Sequence, residues 1–270
     1  MEKYKETVVG KARFILPNIF TSLNFLLGAF SICWTTGAFS TSDPVLMGAY
    51  FIILCVLLDK LDGFAARLVN ASSEFGAQFD SLADLIAFGL APAFCIIFAY
   101  KNLAPSFFEA NTVLMGVAFS VYVLCAAMRL AKYNACDSDC YHHHFSGVPT
   151  TFVGAINAIL IVFLKNREGF FADTSCSTIY IPVVVLFITG LLMVSPLFLP
   201  KLQPRKNKAF NIFQAVLILV TYVSGFMFFT EKMIILEYLL LLVGCYMTIG
   251  LIVGLVQRKN IIEEAKASKG

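Results

Sequence analysis

VLMGAYFIILCVLLDKLDGFAARLV, Val45 to Val69, decides the fold. From Val45 to Leu58 the stretch is apolar, and it then takes up Asp59 and Asp62 without a helix-breaking residue. A membrane-spanning helix needs roughly 20 apolar residues, so this run is a span whose far end carries two acids. The whole chain agrees. Of its 270 residues 59 % are hydrophobic and 14 % charged, with a mean hydropathy of +0.81, far from the balance of a soluble globular domain.

Seven similar runs flank the first: Phe14–Phe39, Phe75–Tyr100, Thr112–Lys132, Val148–Leu164, Thr178–Leu199, Phe210–Phe229 and Met233–Val256. Continuous apolar runs, rather than alternating ones, predict helices and exclude a barrel. The expected fold is all-α, a polytopic transmembrane bundle of about eight spans. Residues 1–13 form a juxtamembrane segment, 14–208 the main bundle, 209–257 two additional helices and 258–270 a tail. The first run contains Pro17, Asn18, Thr21 and Asn24 and lacks a small-residue cleavage site, so it is read as a retained span.

Lys and Arg concentrate in alternate connections, whereas the opposite loops hold Lys101, Lys165, Arg167 and Lys232. The positive-inside rule therefore places both termini in the cytoplasm, in a cytoplasmic membrane. The net charge of +3 follows from that orientation and gives no reason to expect a nucleic-acid partner. Of the eight cysteines, Cys33, Cys55, Cys95, Cys125 and Cys245 lie within spans, where a thiol acts as a small apolar group.

The acids carry the chemistry. One acid at the membrane centre costs roughly 3 kcal/mol on insertion scales, so a group of them needs a purpose. Asp59 and Asp62 are three apart and Asp80 and Asp84 four apart, and each pair therefore shares a helix face. The short connection between the two helices makes them antiparallel neighbours, and four carboxylates converge near the cytoplasmic end. Packed together they would repel unless something positive sat among them. Oxygen-only ligands suit Mg²⁺, Mn²⁺ or Ca²⁺ rather than zinc or copper. Two divalent ions balance the four charges and point to a phosphate ester or pyrophosphate as substrate. Gly63, Ala66 and Gly76 leave room for a bulky ligand beside the acids, and Arg67 is a donor for phosphate.

Asp59-x-x-Asp62-Gly63-x-x-Ala66-Arg67, eight residues, then Gly76-x-x-x-Asp80-x-x-x-Asp84 is similar in every defined position to the CDP-alcohol phosphotransferase motif. The resemblance implies that Asp59, Asp62, Asp80 and Asp84 bind two Mg²⁺ or Mn²⁺ ions beside a CDP pyrophosphate, and that Asp84 also deprotonates the incoming alcohol. It further implies a homodimer.

Outside the motif the chain resembles the membrane-embedded phosphatidylserine synthases. PNIFTSLN (Pro17–Asn24), DSLADLIAFGLAPA (Asp80–Ala93), RLAKYN (Arg129–Asn134), FSGVPT (Phe145–Thr150) and LLMVS (Leu191–Ser195) carry that likeness. It implies CDP-diacylglycerol and L-serine as substrates among membrane lipids, with Asn18 and Thr21 touching the nucleotide. Arg129 and Lys132, three apart, are candidates for substrate anions, and Asn134 offers an amide. The alternative for both cations is the positive-inside charge that any cytoplasmic end attracts.

Other acceptors, such as glycerol 3-phosphate or an inositol compound, remain open, as does a cation path through the acids. Cys136–His144, CDSDCYHHH, has zinc-ligand residue types but no finger spacing, and a polar loop is the plainer reading. Glu237 is expected to pair with Lys232 near the outer surface.

Overall fold

The computed structural model describes the backbone of residues 2–69, 74–137, 144–167, 169–172, 177–200, 208–230 and 232–258. Within these it describes the side chains of 18–60, 74–135, 144–167, 169–172, 177–200, 216, 218–228, 230 and 232–258.

Each apolar run of the sequence lies mainly on helix. In chain order the helices are α1 (Glu2–Thr35), α2 (Pro44–Val69), α3 (Glu74–Asp84), α4 (Ala91–Leu103), α5 (Pro105–Ala110), α6 (Thr112–Lys132), α7 (Thr150–Lys165), α8 (Ile181–Val194), α9 (Lys208–Phe226) and α10 (Met233–Val256). α3 and α4 are one rod, joined by a π-helical turn over Leu85–Leu90. Among the described residues five helical stretches are long and apolar enough to cross a membrane: Asn18–Thr35, Glu74–Leu103, Thr112–Ala135, Ser177–Val194 and Met233–Val256.

The distribution of polarity is that of a protein dissolved in lipid. Val113 and Ile234 are each 81 % exposed, while Asn24, Ser31, Thr35, Thr150 and Asn157 are fully buried. Large apolar side chains thus face outward and hydrogen-bonding ones turn inward, where Ser31, Thr150 and Asn157 bond to neighbouring helices. The chain is an integral membrane protein built as an all-α bundle.

Helix registers orient the bundle. α1 and α2 run antiparallel, tied by Ser31 Oγ donating to the Gly48 carbonyl at 2.8 Å and Cys55 Sγ to the Asn24 carbonyl at 3.5 Å. α1 and the α3–α4 rod run parallel, since Phe25 stacks on Phe79 and Gly28 meets Ala87 further on. α7 lies antiparallel to α2 and is fastened to it at both ends. At one end Thr151 bonds Asp59, and at the other Lys165 pairs with Asp43. Those two ties define an acid end and an opposite end.

The sequence reading differs from the structure in two places. The run expected to reach Leu199 ends its helix at Val194, because Ser195 precedes Pro196 and takes an extended conformation (φ −60°, ψ 149°). The freed segment forms β2 (Phe198–Pro200), which pairs antiparallel with β1 (His144–Ser146) in a small ribbon at the acid end. Glu237 is exposed and forms no ion pair with Lys232, since five residues along a helix point the two side chains apart. The segment Cys136–His144, expected to be a polar loop, falls outside the described side chains except for His144, which lies in β1.

Candidate active site

α2 delivers Asp59 and α3 delivers Asp80 and Asp84, and one carboxylate oxygen from each lies within 4.8 Å of the others. This is the group of three or more metal-ligand residue types found among the described residues. Asp62, Gly63, Ala66 and Arg67 continue α2 beyond Asp59, but their side chains lie outside the described residues. Asp84 is buried at 8 % exposure. The donor set suits a hard divalent cation. Asp80 Oδ1 adds a second indication, being buried without a hydrogen-bond partner, a state that costs free energy unless a cation or donor meets it. The residues present therefore fit a divalent metal ion.

Two adjacent hydroxyls at the start of α7 organise the surroundings. Thr151 Oγ1 donates to Asp59 Oδ2 at 3.3 Å. Its neighbour Thr150 accepts from Arg129 Nη1 at 3.2 Å. Arg129, in the last turn of α6, is buried at 8 % exposure, and its guanidinium lies 5.6 Å from the centroid of the Tyr133 ring. Lys60 and Arg129 are the cationic electrostatic neighbours of Asp59. Lys60 Nζ also sits 5.3 Å above the Phe152 ring.

The remaining predicted residues spread around this centre. Lys132 is exposed and donates to Ser146 Oγ at 2.8 Å, so it tethers α6 to the ribbon. Asn134 Nδ2 donates to Ser81 Oγ at 2.9 Å, on the acid-bearing helix. Gly76 opens α3 one turn before Asp80. Thr21 is buried on α1, and Asn18, half-buried, accepts through its carbonyl from Ser22 Oγ at 2.7 Å.

Sequence reasoning missed Thr151, Thr150 as the partner of Arg129, and Asn24. Asn24 is fully buried and neither side-chain amide atom has a partner. The signal for the threonines was the Pro149-Thr150-Thr151 start of an apolar helix, which places hydroxyls at a helix end. Nothing in one dimension pairs that start with an acid 92 positions earlier.

A model of the CDP-alcohol phosphatidyltransferase family matches residues 14–198. The chain is also similar to a Helicobacter pylori (strain ATCC 700392 / 26695) protein named CDP-diacylglycerol--serine O-phosphatidyltransferase, with 31 % identity over 92 % of this chain and 96 % of that one. A Saccharomyces cerevisiae protein of the same name is 32 % identical over 67 % of this chain and 68 % of its own. One from Methanocaldococcus jannaschii is 30 % identical over 60 % of this chain and 68 % of its own. The family match ends at residue 198, so an alignment over 92 % of the chain runs on into the last two helices. The similarity to the Helicobacter relative thus extends past the part that the family model covers.

Proposed function

The chain belongs to the CDP-alcohol phosphatidyltransferase family, and from that premise we propose that it transfers the phosphatidyl group of CDP-diacylglycerol to the hydroxyl of L-serine, giving phosphatidylserine and CMP. The convergence of Asp59, Asp80 and Asp84 within 4.8 Å carries the phosphoryl-transfer part of this reading. The names of the relatives support serine as the acceptor.

Asp59, Asp62, Asp80 and Asp84 would hold two divalent ions, Mg²⁺ or Mn²⁺. When bound, such ions neutralise phosphate charge and make CMP a good leaving group. The protein's own part is positioning and proton transfer. Asp84 takes the proton of the serine hydroxyl as its oxygen bonds to the diacylglycerol-linked phosphorus, and the bond from that phosphorus to CMP breaks, with CMP leaving with the electron pair. Thr151 holds the Asp59 carboxylate in one orientation. Arg129, braced by Thr150, meets a substrate anion, either phosphate or the serine carboxylate. Lys132 and Asn134 border the serine side. Asn18, Thr21, Asp62, Gly63, Ala66, Arg67 and Gly76 line the CDP-diacylglycerol side.

The same proposal includes eight spans in the cytoplasmic membrane, both termini and the site facing the cytoplasm, and assembly as a homodimer. Cysteine labelling from either side of sealed vesicles reads the orientation, and cross-linking in membranes reads the dimer.

An acceptor panel tests the function. Purified protein with CDP-diacylglycerol and Mn²⁺ or Mg²⁺ receives serine, glycerol 3-phosphate or inositol in turn, with CMP release as the readout. Release that needs serine supports the reading; equal release with every acceptor contradicts it.

A further inference from the structure

The π turn Leu85–Leu90 begins at the residue after Asp84, and its cause is legible. Pro92 follows in the first turn of α4. Proline has no N–H to give the carbonyl four residues back, and its ring crowds that carbonyl. The carbonyl in question is that of Phe88, inside the π turn. Widening the turn makes room for the ring, as the Ala91 N–H bonding back to the Ile86 carbonyl shows. The missing donor is supplied from another helix: Tyr122 of α6 donates its hydroxyl to the Phe88 carbonyl at 2.8 Å.

Three helices grip this turn. Ala87 and Phe88 are fully buried, as is Tyr122. α1 presses on the turn at Gly28, where an added Cβ would lie 2.8 Å from Ala87 Cα, and α7 at Gly154, where one would lie 3.0 Å from Phe88 Cβ. Gly154 is one turn along α7 from Thr151, the residue that holds Asp59. A π turn adds a residue to a helical turn, so α3, with its acids, is rotated relative to the packing face of α4. The rotation about the rod that aims Asp80 and Asp84 together at Asp59 is therefore set by the geometry of this turn.

We infer that Tyr122 is a positioning residue for the acid centre: by replacing the donor that Pro92 lacks, its hydroxyl locks the π turn and with it the aim of Asp84. This rests on the reading of Asp84 given above. In this role Tyr122 acts through the Phe88 carbonyl and the turn and not as a substrate contact; its hydroxyl also neighbours the Asn157 side chain of α7.

The test compares two buried tyrosine hydroxyls. Tyr100, also fully buried, donates to the Ile179 carbonyl, toward the end of the rod away from the acids. Tyr122→Phe, Tyr100→Phe, Gly154→Ala and Asp84→Asn are purified as the full chain. Each is assayed for melting temperature, for affinity for Mn²⁺ alone by electron paramagnetic resonance, and for CMP release. Tyr122→Phe is expected to weaken Mn²⁺ affinity about tenfold and to lower kcat about ten- to a hundredfold, while Tyr100→Phe leaves both near wild type. Gly154→Ala, which pushes on the same turn from α7, reports in place of Tyr122→Phe should that variant not fold. Wild-type Mn²⁺ affinity and kcat in Tyr122→Phe, or equal losses in Tyr122→Phe and Tyr100→Phe, overturn the inference. If Asp84→Asn keeps wild-type turnover, the functional reading itself fails; if it abolishes turnover and Tyr122→Phe does not, only the present inference falls.

Discussion

Thr151 on α7 donates its hydroxyl to Asp59 on α2 at 3.3 Å, joining a helix that begins at the acid end to the carboxylate of one that finishes there. The neighbouring Thr150 makes the equivalent link to Arg129. One helix start thus orients both an anion and a cation of the site.

Thr151→Val keeps the shape and removes the donor. Mn²⁺ affinity is expected to fall about tenfold, the usual scale for losing a residue that orients a metal ligand, with little change in melting temperature. Titration with Mn²⁺ in the absence of substrate checks this, and unchanged affinity would show that Asp59 needs no such support.

Arg129→Lys keeps the charge but loses the planar fork that bonds Thr150 and stacks near Tyr133. The expected outcome is a rise in KM of about tenfold for the substrate whose anion it meets, equivalent to about 1.4 kcal/mol. Varying CDP-diacylglycerol and serine separately identifies that anion. KM values unchanged for both would remove Arg129 from substrate binding.

Lys165→Met breaks the pair with Asp43 at the end of the bundle opposite the acids. The pair is largely shielded, with the lysine side chain 16 % exposed and the aspartate 29 %, so the change is expected to destabilise by about 1 kcal/mol after allowing for solvent screening. Thermal unfolding in detergent should register the loss while kcat stays at the wild-type value. A large loss of kcat at unchanged stability would mean that the two ends are coupled.

Gly254→Val tests the last helix. An added Cβ at Gly254 would lie 1.7 Å from the Phe198 carbonyl oxygen, so α10 touches β2 backbone to backbone. Tyr246 on the same helix donates to the Pro200 carbonyl at 2.7 Å and stacks on Phe152, two residues after Thr150. Moving α10 outward therefore displaces the ribbon and the start of α7, and CMP release should fall at least about tenfold. Wild-type turnover in Gly254→Val would show the last helix to be dispensable for the site.

Hydropathy and spacing made much of this visible in one dimension. The spans were legible because lipid imposes long apolar runs, and Asp59, Asp80 and Asp84 because helical periods of three and four place acids on one face. What stayed hidden depends on partners distant in the chain. Pro92 announces a disturbed helix, but that the disturbance is a π turn completed by Tyr122 can be seen only once α6 packs beside the rod. Ser195-Pro196 marks the end of α8, yet the ribbon exists only because Phe198–Pro200 meets His144–Ser146. Thr151 looked like an ordinary helix-start residue until folding placed it against Asp59.

The most direct test of the whole account follows isotopically labelled L-serine in purified protein supplied with CDP-diacylglycerol and Mn²⁺ or Mg²⁺. Labelled phosphatidylserine should appear in step with CMP, stop when the divalent ion is chelated and return when it is restored, and be absent in Asp84→Asn. CMP released without labelled lipid, or labelled lipid formed at the wild-type rate in the chelator or by Asp84→Asn, would contradict it.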